Sequence, residues 1–148
     1  MVGKAGLKAG LIGVAVMLVV TVLNNVLPIS GAVVYVVCGL SVAIYAGIGV
    51  LAGLFVAAPR TAGKGAAAGA IAGAICAVIA GAIGSGIMFF RMARGLGVPG
   101  LSPQQMQLLA ESNIDPKLYA IPGAVCGLAI NTIVATIGGA VVAAVKTD

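Results

Sequence analysis

The chain has 148 residues, 61% of them hydrophobic and 7% charged, with a formal net charge of +5. A globule of this length needs a polar exterior, so a mean hydropathy of +1.23 excludes a soluble domain and makes the bilayer the solvent. There is no histidine, which removes the commonest general base and the commonest zinc and haem ligand, so neither a metal site nor a cofactor is expected.

The basic residues are Lys4, Lys8, Arg60, Lys64, Arg91, Arg94, Lys117 and Lys146, each outside an apolar segment or at its end. That is the pattern of membrane flanks rather than of a groove that follows phosphates, and no nucleic-acid partner is expected. Cys38, Cys76 and Cys126 each lie inside an apolar segment, with no metal-ligand spacing and no neighbouring charge to hold a thiolate. They read as small buried hydrophobes.

The first span is expected over residues 7–27. A secretory signal is the rival reading of two lysines before an apolar run, but Asn24, Asn25 and Pro28 form no small-x-small cleavage site, which favours a mature helix. Pro28 cannot continue that helix, and Ser30-Gly31 restarts one. The connection is so short that the first two helices are expected as antiparallel neighbours. The second span covers residues 31–58 and ends at Pro59-Arg60. Tyr35 and Tyr45 supply hydroxyls at the interface or inside the bundle.

The third span, residues 65–90, carries a small residue at every fourth position: Gly65, Gly69, Gly73, Ala77, Gly81 and Ser85. Residues four apart stack on one helical face. The ladder is a glycine zipper, a groove with almost no side chain in it, which lets a second backbone approach where lipid removes the hydrophobic driving force.

Residues 91–120 form the one sizeable polar segment. Gly95, Gly97, Pro99 and Gly100 break the preceding helix, and Ser102, Pro103 and Gln105 give the cap, first-turn proline and capping box of a short amphipathic helix ending near Asn113. The segment is either a docking surface or an ordered connector. Asp115-Pro116 repeats the cap-plus-proline signal, and Pro122 marks a kink or a second start. Phe89, Phe90 and Tyr119 fit an aromatic belt.

The fourth span, residues 121–145, bears a second ladder: Gly123, Gly127, Asn131, Ala135, Gly139 and Ala143. Asn131 is expected to hydrogen-bond a facing helix, while Thr132 and Thr136 can bond backbone carbonyls one turn back. Val37-Cys38-Gly39-Leu40 recurs as Val125-Cys126-Gly127-Leu128, a weak sign of two tandem hairpins.

Four spans put both termini on one side, together with Lys4, Lys8, Arg60, Lys64 and Lys146, against Arg91, Arg94 and Lys117 on the other. The excess of basic residues places both termini in the cytoplasm, in a cytoplasmic-type inner membrane. The ladders and the four spans resemble the proteolipid subunits of rotary ATPases in outline, but the comparison fails on chemistry. Those rotors need a carboxylate at mid-membrane, and at the matching depth this chain has Asn131, so no motif names a family.

The expectation is therefore an all-α polytopic membrane protein, one integral domain of two antiparallel hairpins. With no embedded acid and no cysteine paired to a base, an enzyme is not expected. A structural or accessory subunit, packing with itself as a homo-oligomer or with other membrane subunits, accounts for the ladders. The alternative is a small passive channel or neutral-solute transporter, suggested by Pro122, the polar cluster of Asn131, Thr132 and Thr136, and the weak repeat.

Overall fold

The computed structural model describes residues 1–26, 32–96, 104, 107, 108, 111, 112 and 116–146. It is all-helical, with α1 (Val2–Val26), α2 (Ala32–Leu54), α3 (Ala62–Ala93) and α4 (Pro116–Val145). Each of the four is long and apolar enough to cross a membrane.

Local chemistry sets the helix ends. Helix α2 stops at Leu54, short of residue 58, because the chain turns there and buries Val56 over the end of the bundle. The Arg60 Nε donates to the Val56 carbonyl at 3.1 Å, and the Lys64 Nζ donates to the Pro59 carbonyl at 2.9 Å. Helix α3 begins three residues before residue 65, since extended Thr61 caps it by accepting from the Lys64 backbone N–H at 3.3 Å. It closes at Gly95, whose φ of +67° suits a residue without a Cβ. There the Gly95 N–H donates to the Met92 carbonyl and the Leu96 N–H to the Arg91 carbonyl, satisfying two orphan acceptors.

Helix α4 starts at Pro116, Asp115 lying outside the described residues, and runs on through Pro122, so that proline neither ends a helix nor begins one. The caps expected for the short loop helix, Ser102, Pro103 and Gln105, lie outside the described residues, as do Gly97, Pro99 and Gly100.

Close contacts fix the helix directions. From Gly65 to Gly73 along α3, the facing residues on α4 descend from Gly139 to Thr132, so these helices run antiparallel. From Gly49 to Gly53 along α2, they rise from Ala135 to Gly139, so α2 and α4 run parallel. Gly6, Gly10 and Gly13 of α1 face Ala68, Ala72 and Cys76 of α3, again parallel. Helices α1 and α2 touch as well: Gly6 and Gly10 are spent on α3, whereas the group nearest the Gly13 Cβ position is the Ile48 side chain of α2.

The core lies towards the end of the bundle that holds the α2–α3 connection. It is built from Ala5, Ala9 and Met17 of α1, Tyr45, Ile48 and Ala52 of α2, and Ala68, Ala72 and Cys76 of α3. Towards the other end, large side chains such as Tyr35, Val36, Leu40, Val125 and Ile130 are exposed on the outside of the helices.

Candidate functional site: a glycine cradle and an open cleft

The ladder on α3 meets the ladder on α4 over part of its length. A Cβ added to Gly65 would overlap the Gly139 carbonyl oxygen and the Ala143 methyl, and one on Gly69 would overlap the Ala135 carbonyl oxygen. At Gly73 it would stand 2.8 Å from the Ala135 Cβ and 3.1 Å from the Thr132 Cα. Ala77 is buried. Beyond it the groove opens. A Cβ on Gly81 or on Gly127 would meet nothing within 4 Å, and Ser85 is half-buried. The surroundings of Gly123 lie outside the described residues, as do those of Tyr119.

The sequence reading missed half of the cradle. The Ala135 carbonyl faces Gly49 of α2 as well as Gly69 of α3, and the Gly139 carbonyl faces Gly53 of α2 as well as Gly65 of α3. A Cβ on Gly53 would come within 2.7 Å of that oxygen. Helix α4 thus lies in a trough whose two walls are bare glycine backbone. The hydrogen that stands in place of each Cβ faces a carbonyl, the arrangement of a Cα–H···O contact worth about 0.5–1 kcal/mol. Gly138 returns the approach, with the Ala46 carbonyl 2.6 Å from its Cβ position. The signal was present in the sequence as Gly49-x-x-x-Gly53 and as Gly6-x-x-x-Gly10.

Above the cradle the helices part around a cleft of about 210 Å³. Met17 and Thr21 of α1, Tyr45 of α2, Ala77 and Gly81 of α3, and Gly127 and Asn131 of α4 line it. The polar groups come from three helices, and the cradle closes the floor. Tyr45 is buried, with its hydroxyl beside the Cys76 thiol. Asn131 is half-buried at the cleft wall. Thr136 donates to the Thr132 carbonyl at 2.7 Å, as its position one turn on allows. Thr132 does not repeat this: its hydroxyl oxygen is buried without a hydrogen-bond partner among the described residues.

No protein-family model, curated protein or solved structure matches this chain. Chemistry at the site must therefore be read from its own residues. Among the described residues no group of histidine, cysteine or carboxylate side chains could hold a metal ion.

Two further residue assignments change. Cys76 is buried as expected, but Cys38 and Cys126 are exposed. A thiol is apolar enough to face lipid, so its presence in a span does not imply burial. The aromatic pair at the end of α3 faces outward, Phe89 at 42% and Phe90 at 59% exposure, and the Arg94 guanidinium lies over the Phe90 ring at 5.0 Å.

Proposed function

We propose that this chain is a structural or accessory subunit of a membrane complex, folded on its glycine cradle and docking through the outer face of α2. The observation that carries the reading is a small-residue stripe that the fold leaves unused. Gly39, Ala43 and Gly47 stack at four-residue intervals, all three are exposed, and a Cβ on either glycine would meet nothing within 4 Å. They lie across α2 from Tyr45, Ile48 and Ala52, which face the core. The cradle glycines already hold α4 and have no room for another helix. A transmembrane helix of a second copy, or of a larger partner, could approach the free stripe as closely as α4 approaches Gly49.

The finer architecture in this reading is two antiparallel hairpins, the cradle acting as a glycine zipper, with a short amphipathic helix capping the loop between α3 and α4. The surplus of lysine and arginine at one end supports cytoplasmic termini in an inner membrane. In this reading the chain acts by packing and carries no reaction of its own; the thiol of Cys76 and the hydroxyl of Tyr45 meet within the spans, but both residues are buried in the core.

A small passive channel or neutral-solute transporter is the second reading, favoured by the hydroxyl and amide groups lining the cleft. It requires α4 to lift from the cradle, because the backbone contacts of Gly65 and Gly69 close the floor. One experiment separates the readings. The chain is extracted in mild detergent from its native membrane and its assemblies are weighed, with the parent compared to the Gly39→Leu/Gly47→Leu variant. Loss of the assembly with an unchanged melting temperature of the released chain supports docking through α2. An assembly that survives both leucines rejects that surface. Solute flux through vesicles holding the purified chain alone would move the conclusion to the channel.

A further inference from the structure

We infer that the face of α1 beside the end of α2 is a binding site for one anionic phospholipid of the surrounding leaflet. A groove of about 600 Å³ runs there, lined by Lys4 and Lys8 together with Leu11, Ile12 and Phe55. That volume falls within the range of small-molecule sites. All five side chains are exposed, the three apolar ones by 43–54%. Lys4, Lys8 and Ile12 are four residues apart on α1, so each lies about 6 Å further along the helix axis than the last. Two ammonium groups at the polar end, followed by a strip of apolar surface towards the membrane centre, complement a negative headgroup followed by an acyl chain.

Charge at this end of the bundle is divided in a way that favours the groove. Arg60 and Lys64 turn back to donate to the carbonyls of Val56 and Pro59, which occupies them with the α2–α3 connection. Lys4 and Lys8 line the groove, and none of its described lining residues is acidic. A phosphodiester without a compensating ammonium supplies the missing negative charge. A zwitterionic headgroup brings its own cation into the same space and is disfavoured.

The test uses the full chain, purified in a neutral detergent and mixed with equal amounts of phosphatidylglycerol and phosphatidylcholine, with the retained lipid counted by native mass spectrometry. The parent should retain one phosphatidylglycerol in preference to phosphatidylcholine. Lys4→Gln and Lys8→Gln should each weaken that retention about fivefold, the size expected for one lysine at an anionic surface. Lys146→Gln removes a cation outside the groove and should leave the preference intact. Phe55→Ala should lower retention of both lipids, since it removes apolar lining rather than charge. All four positions are exposed, so circular dichroism should report the same helical content in every variant. Equal retention of the two lipids by the parent overturns the site. So does a Lys146→Gln loss as large as that of Lys8→Gln, which would mean bulk charge alone.

Discussion

The two halves of this bundle are built from the same residues and do opposite things with them. Around Gly65 and Gly69 the absent side chain is filled by the carbonyls of Gly139 and Ala135, whereas around Gly81 and Gly127 nothing stands within 4 Å. Both pairs belong to the same four-residue ladders. Spacing makes a groove available, but occupation needs a facing small residue at the same depth on a helix that passes there. Two straight helices that touch at one level separate on either side of it. Gly65 to Gly73 spans about 12 Å of axis, and the close contact is used up over that length. The remaining length of the ladders becomes the wall of the cleft.

Substitutions at equivalent ladder positions should therefore have unequal effects. Gly69→Leu forces a branched side chain into backbone, which cannot rotate away as a side chain can. We expect a loss beyond the about 1–3 kcal/mol usual for overpacking, read as a collapse of the melting temperature in detergent. Gly81→Leu lies on the same α3 stripe and should melt at or slightly above the parent, because its Cβ meets open space and leucine favours helix over glycine. Equal damage from both would mean that the ladders close along their full length, and the contrast between the halves would be lost.

That contrast also marks what the sequence can disclose. Four apolar runs separated by proline, glycine and charge were enough for four helices, because in lipid every backbone polar group must be paired within its own segment. The α3 and α4 ladders were visible as spacing. The α2 wall of the cradle was not, although Gly49 and Gly53 have the same spacing. In a chain with 23 glycines, spacing recurs often, and which stripes meet depends on the order of helices around the bundle. Burial was equally hidden at Cys38 and Cys126. A soluble protein sorts apolar residues inward, but here lipid and core are both apolar, so hydropathy carries no sign of direction. Gly95 is the reverse case: it was legible as the breaker of the third helix, because a terminating glycine is ordinary helix chemistry, unaffected by the membrane.

A finer version of the comparison lies within α2 alone. Gly47 and Gly49 are two residues apart and on different faces: a methyl on Gly49 overlaps the Ala135 carbonyl, and one on Gly47 meets nothing. Gly49→Ala should cost about 1–3 kcal/mol, with α4 displaced from the trough. Gly47→Ala should be neutral, or stabilising by up to about 1 kcal/mol through helix propensity. Thermal melting in one detergent orders the two. A destabilising Gly47→Ala would show that this face is already packed against something in the isolated chain.

The smallest expected effect lies at the boundary of the two regions, where the cradle floor becomes the cleft. Thr132 and Thr136 share a face of α4 one turn apart, yet the Thr136 hydroxyl donates to the Thr132 carbonyl while the Thr132 hydroxyl is buried without a partner among the described residues. A buried polar group left unpaired costs about 1–3 kcal/mol, against about 0.5–1.5 kcal/mol gained from an ordinary bond. Valine has nearly the same shape as threonine. Thr132→Val should therefore raise stability, by up to about 1 kcal/mol once the polar group's residual interactions are allowed for. Thr136→Val should lower it slightly, by no more than about 0.5–1.5 kcal/mol, because a bond within one's own helix is lost. Opposite signs in the melting temperatures of the two variants would fit a dry floor that serves packing alone. If Thr132→Val destabilises instead, its hydroxyl is bonded in the membrane to water or to a solute reaching it through the cleft. The open half of the bundle would then be a binding space, and the channel reading would gain the support that the packing reading loses.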